Sequence, residues 1–141
     1  MIELDDDKIL LPSVNDQAKI VASLRAKEIQ QIIKDKCSQD TIDLPLSVNE
    51  SDFSTSHLLE KNKGWQAPDH ELVRAYFEQL KAHDPQYTEK GIADLLNVND
   101  GRSIRRFKSG ERPVPYDVWR KFLVATGRAP IDLPSIIGFF K

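Results

Sequence analysis

Apolar positions recur with helical rather than strand periodicity along most of the chain, and they fall into two blocks separated by a polar stretch. In the first block no proline or glycine interrupts residues 16–37. Ala18, Ala22, Ala26, Ile29, Ile33 and Cys37 return there at spacings of three and four. That pattern predicts one amphipathic helix over 16–37, about 33 Å long, with Val21, Leu24 and Ile32 widening the stripe. Asn15 or Asp16 is placed to cap it. An apolar face of that length needs a cover, either from its own domain or from a second subunit.

Residues 38–64 are dominated by Ser, Asp, Asn and Thr, with only scattered apolar positions: Ile42, Leu44, Leu46, Phe53, Leu58 and Leu59. They read as a polar linker over 41–64 between an N-terminal region, 1–40, and a compact domain that begins at Trp65. Within that domain Leu72, Val73, Tyr76, Phe77 and Leu80 share one helical face, and His83, Asp84 and Pro85 end the run. A second helix is expected from Thr88 to Leu96, a third from Gly101 to Ser109, and a fourth from Pro115 to Thr126, with Gly127 as its stop. The last segment, 129–141, holds Ile131, Leu133, Ile136, Ile137, Phe139 and Phe140 and is too apolar for a free end, so it folds back or meets another subunit. The fold class expected is all-α: a small bundle over 65–128 with an N-terminal helical extension.

The second and third helices of this set carry a specific internal logic. Thr88 can cap the first of them, Ile92, Leu95 and Leu96 point inward, and Ala93 is small enough for a neighbouring helix to cross closely. Asn97 suits the left-handed conformation that closes a helix, and Val98 plugs the corner. On the next helix Ile104 and Phe107 define an inner face, whereas Arg102, Arg105, Arg106 and Ser109 fall together on the opposite side. Arginine there can grip guanine O6 and N7 or clamp a phosphate. Lys90, Ser103, Lys108 and Arg112 lie at the rim where phosphates run, and Asn99 is expected to cap the helix and reach DNA as well.

Charge sharpens this picture. The 141-residue chain carries a net −2, which excludes binding of nucleic acid through bulk positive charge. Residues 1–60 hold 6 Lys/Arg against 12 Asp/Glu, whereas 61–141 hold 14 against 10. Between Gly101 and Arg112 five basic residues meet one acidic residue, Glu111. Positive charge is thus concentrated on the expected outer face.

With these residues in view, Thr88, Ile92, Ala93, Leu96, Val98, Ile104, Arg106, Phe107, Gly110 and Arg112 give a segment that resembles the Cro/C1-type, lambda-repressor-like helix-turn-helix domains of phage, plasmid and bacterial regulators. The stretch Pro113-Val-Pro-Tyr-Asp-Val-Trp119 resembles a subgroup in which a proline-flanked segment leads into a helix with a buried Trp. The likeness covers about residues 65–128. It implies a sequence-specific double-stranded DNA-binding regulator, most simply a repressor, with 101–109 as recognition helix; a domain this small offers a short recognition surface that needs two half-sites, which predicts a homodimer. Two departures stand out: Glu89 occupies the place where members commonly carry a DNA-binding Gln, and the stretch from Val98 to Ile104 is one residue longer than usual.

Other chemistry finds little purchase. Cys37 is the only cysteine and His57, His70 and His83 are scattered, so no metal site, disulfide or cofactor is expected, and the histidines read as surface residues. Nothing marks a nucleophile or a glycine-rich phosphate loop, so no enzyme is expected. Tyr116, Trp119 and Phe122 read as core rather than as a base-stacking platform. The acidic N-terminus and the lack of a long apolar run point to a cytoplasmic protein, nucleoid-associated when on DNA, with no membrane partner. A rival reading makes the acidic region 1–60 a protein-binding arm, as in an adaptor or an antitoxin, with the helix pair used for autoregulation or as scaffold.

Overall fold

In the computed structural model the described residues are 3–5, 8–131 and 135–140, with the backbone alone described for 3–5 and 8–10. The chain is all-α in class. Among these residues five helices carry the fold: α1 (Val14–Cys37), α2 (His70–His83), α3 (Glu89–Leu96), α4 (Gly101–Ser109) and α5 (Tyr116–Ala125). A short antiparallel ribbon precedes them, β1 (Glu3–Asp5) against β2 (Lys8–Leu10), with Leu4 opposite Ile9. The ribbon was not expected, because three-residue strands are too short to show an alternation.

The chain divides into two compact units, one of Met1–Ile42 with Leu133–Lys141 and one of Asp43–Asp132. In the first, α1 is capped by Ser13, whose hydroxyl accepts from the Asp16 amide, rather than by Asn15 or Asp16. No residue of α1 is fully buried. Ala22, Ile29 and Ile33 are half-covered, while Val14, Val21, Leu24 and Ile32 stay exposed. The tail joins this unit through the Asn15 side-chain amide, which donates to the Phe139 carbonyl at 3.2 Å. Ile136, Ile137 and Phe140 remain exposed, and Leu133 lies outside the described residues.

The second unit holds the core, built from Leu72, Val73, Tyr76 and Phe77 of α2, Ile92, Ala93 and Leu96 of α3, Ile104 and Phe107 of α4, Val114, and Trp119, Phe122 and Leu123 of α5. Each contributing helix buries one stripe and leaves its charged positions outward, as a 3.6-residue period requires. Trp119 is the centre. Its ring lies parallel to Tyr76 at 5.9 Å and near-parallel to Phe122 at 5.1 Å.

The segment expected to be a linker is corrected here. From Asp43 onward it belongs to this unit, and Leu46, Val48 and Phe53 pack against the core. Its polar groups are spoken for by the bundle: Gln79 donates to the Leu44 carbonyl at 2.8 Å, Tyr76 Oη donates to Glu50 at 2.6 Å, and Arg120 donates to the Leu58 carbonyl at 3.3 Å. A polar composition had concealed an arm, since the bonding partners lie 26 to 62 residues away.

His57 is likewise a correction, because it is buried rather than a surface histidine. Its Nδ1 accepts from Trp119 Nε1 at 3.1 Å, and its carbonyl accepts from Trp65 Nε1 at 3.1 Å. An Nδ1 that accepts is a neutral imidazole. Burial lowers the His57 pKa below its usual 6.5, opposed by nearby Glu50 and helped by Arg128. Above 6.5 the ring is neutral whether the chain is folded or not. As pH falls through that value the unfolded chain takes up a proton that the folded unit resists, so stability declines toward acid. The urea midpoint is therefore expected to drop between about pH 7.5 and about pH 5.5, and His57→Gln, which keeps an acceptor for Trp119, is expected to flatten that drop. An equal drop in the variant would remove His57 as its source.

Candidate nucleic-acid interface

Local sequence sets α3 and α4 in place. Thr88 Oγ1 accepts from the Gly91 amide at 3.2 Å to open α3, and Asn97 closes it at φ 55°. The Val98 amide then donates back to the Ala93 carbonyl at 2.9 Å, which ties the turn to the helix it leaves. Asp100, not Asn99, caps α4: its carboxylate accepts from the Ser103 amide at 3.2 Å. Asn99 is exposed and makes no cap. The residues that lengthen this turn thus have a use, since Asp100 starts the helix and Gly101 lets it approach α3. A Cβ on Gly101 would lie 3.3 Å from the Glu89 Cβ and 3.3 Å from the Lys90 backbone nitrogen.

At its far end α4 stops at Gly110, φ 80°, where a side chain would collide with the His70 ring. Arg74 of α2 donates to the Lys108 carbonyl at 3.1 Å, which places a cation on the negative end of α4. Sequence reasoning missed Arg74, because its partner is 34 residues away. Ile104 and Phe107, 0% and 3% exposed, fasten the inner face of α4 to α2 and α3. Replacing Asp100 by alanine is expected to cost about 1 kcal/mol, measured as a loss in unfolding free energy. An unchanged free energy would show the cap idle.

Arg102, Arg105, Arg106 and Ser109 together line one shallow open depression on the outer face, with Glu111 at its edge. The face is not uniformly free. Glu89 Oε2 sits 3.1 Å from Arg105 Nε, and Glu89 Oε1 accepts from Lys108 Nζ at 3.3 Å. Arg106 Nε is 3.8 Å from Glu111, too long for a hydrogen bond. Among the described residues no ion pair engages Arg102, Lys90 or Arg112, and all three are exposed. Ser103 is half-buried. The Ser109 hydroxyl donates to the Arg106 carbonyl and accepts from the Glu111 amide. Lys108, expected at the rim, is instead the least exposed of the cations in these pairs and is directed at Glu89.

Tyr116 is half-buried edge-on to Trp65, ring centres 5.2 Å apart, and Trp119 and Phe122 are core, so no aromatic platform faces outward here. No group of three His, Cys, Asp or Glu among the described residues is arranged to hold a metal ion, and no described helix is long and apolar enough to cross a membrane. Set beside known proteins, the chain matches no family model, no curated protein and no solved structure.

Proposed function

We propose that the protein is a sequence-specific double-stranded DNA-binding regulator, most simply a repressor, that reads the major groove with α4. One observation carries this reading: three arginines and Ser109 share the outer face of a helix whose inner face is locked by fully buried Ile104 and Phe107. Arg102 adds to it. It stands in the first turn of α4, where a cation opposes the helix dipole, and no ion pair among the described residues compensates it. A residue that costs its own helix a few tenths of a kcal/mol is better accounted for by an outside anion or a base edge than by stability.

In this proposal the unit is a Cro/C1-type, lambda-repressor-like domain, with Arg102, Arg105 and Arg106 the base-reading candidates and Lys90, Ser103, Asn99 and Arg112 the backbone contacts. A helix of nine residues reads few base pairs, so a homodimer on two half-sites belongs to it. The rival reading, a protein-binding adaptor or antitoxin, draws on α1, which exposes Val14, Val21, Leu24 and Ile32 on an acidic half of the chain. A gel shift against the DNA upstream of the protein's own gene separates the two. The proposal expects salt-sensitive binding that each of Arg102→Ala, Arg105→Ala and Arg106→Ala weakens by about 1–3 kcal/mol if it reads a base. Absence of any shift on that DNA, with a protein partner captured through residues 1–60, would favour the rival.

A further inference from the structure

We infer that Glu89 is a specificity-determining residue of the α4 surface, acting by holding Arg105 and Lys108 away from indiscriminate phosphate contact. The inference rests on the DNA-binding reading above and adds to it an acidic side chain in the middle of a basic face. Glu89 is the first residue of α3, where the helix dipole favours a carboxylate, and its side chain is 36% exposed. From there one carboxylate meets two cations at once, Arg105 at 3.1 Å and Lys108 at 3.3 Å. Neither is its sequence neighbour. The pairing depends on Gly101, whose missing side chain lets the start of α4 lie against Glu89 and Lys90.

Geometry decides what this pairing does to Arg105. The carboxylate approaches Nε on a side chain that is 63% exposed, so it takes the edge of the guanidinium that includes Nε and not the edge formed by the two terminal nitrogens. Those terminal nitrogens are the pair that spans guanine O6 and N7. Lys108 is only 25% exposed and its ammonium is spent on the same carboxylate. Of the five basic residues from Gly101 to Arg112, two therefore share the single negative charge of Glu89 in the free protein, which offsets one positive charge of the face. Electrostatic attraction to any duplex is lowered accordingly, and a fixed negative charge stands where a misplaced phosphate would come. A correctly seated operator keeps Arg105 and its base edge and gives up little. Glu89 thus raises the ratio of specific to non-specific affinity rather than affinity itself, which is the quantity that matters against a genome of competing sites.

The test compares wild type, Glu89→Gln, Arg105→Ala and the double variant for binding to a selected operator and to a scrambled duplex over a range of KCl. Thermal unfolding confirms that each is folded. For Glu89→Gln the inference expects scrambled-duplex affinity to rise roughly 3- to 10-fold and the salt slope to steepen by about one to two units, as one or two more cations find phosphates. The specificity ratio should fall by a comparable factor. In the Arg105→Ala background the effect of Glu89→Gln should shrink, because half of the pairing is already gone. If both proteins bind DNA but slope and ratio do not change in Glu89→Gln, the inference is overturned while the DNA-binding reading stands. If neither folded protein binds any duplex, both fail together.

Discussion

Replacing Trp119 with alanine is expected to cost about 3–5 kcal/mol of unfolding free energy, the range for truncating a large buried aromatic side chain. Its side chain is fully buried and packs against four rings: Tyr76, Phe77, Phe122 and His57. It also supplies the N–H that His57 Nδ1 accepts, so the variant loses both packing volume and the donor that holds the arm to the bundle. Set against a typical domain stability of about 5–15 kcal/mol, a loss of this size leaves the unit marginal or unfolded at room temperature. Trp119→Phe separates the two contributions. It keeps most of the ring and removes the N–H, leaving His57 short of a donor in a buried site, at a cost of about 1–3 kcal/mol. Urea unfolding followed by circular dichroism measures both. A loss under about 1 kcal/mol in Trp119→Ala would mean that the bundle is not organised around this side chain.

The second large effect is on binding. Changing Arg102, Arg105 and Arg106 together to alanine is expected to weaken operator binding by about 3–6 kcal/mol, or roughly a hundred- to ten-thousandfold, if each contributes a typical base or phosphate contact. The fold should survive. The three side chains face outward, their partners Glu89 and Glu111 lie at the surface, and exposed pairs of this kind contribute about 0–1 kcal/mol. Removal of Arg102 from the first turn of α4 even relieves a small dipole conflict. Loss of binding with an unchanged urea midpoint is the expected combination. Binding retained in the triple variant would move the interface away from α4.

How much of this could be read from the chain depends on how far apart the cooperating residues lie. Helices α2 to α5 were legible because their signals are local: the threonine that opens α3, the Asn97 that closes it, and the apolar residues returning every third or fourth position. Gly127 stops α5 at φ 72° for the same kind of reason. The inner and outer faces of α4 followed from 100° per residue and needed no tertiary knowledge. The arm from Asp43 was not legible, because Leu46, Val48 and Phe53 show no period and His57 meets Trp119 across 62 residues. One-residue errors had a different origin. Asn99 and Asp100 are both good caps, and only the crossing of α4 over α3 decides between them. Glu89 was visible as an acid in the place of a DNA-binding Gln, but its hold on Arg105 and Lys108 is a product of that same crossing.

The central claim is that α4 reads a DNA sequence, and the most direct measurement is selection from a pool of random duplexes followed by titration of the winners in increasing salt. The account predicts convergence on one motif that contains guanines, bound much more tightly than scrambled duplex and with a linear fall of log affinity against log salt. A pool that stays random through successive rounds, with no salt-dependent binding to any duplex by the folded protein, would contradict it.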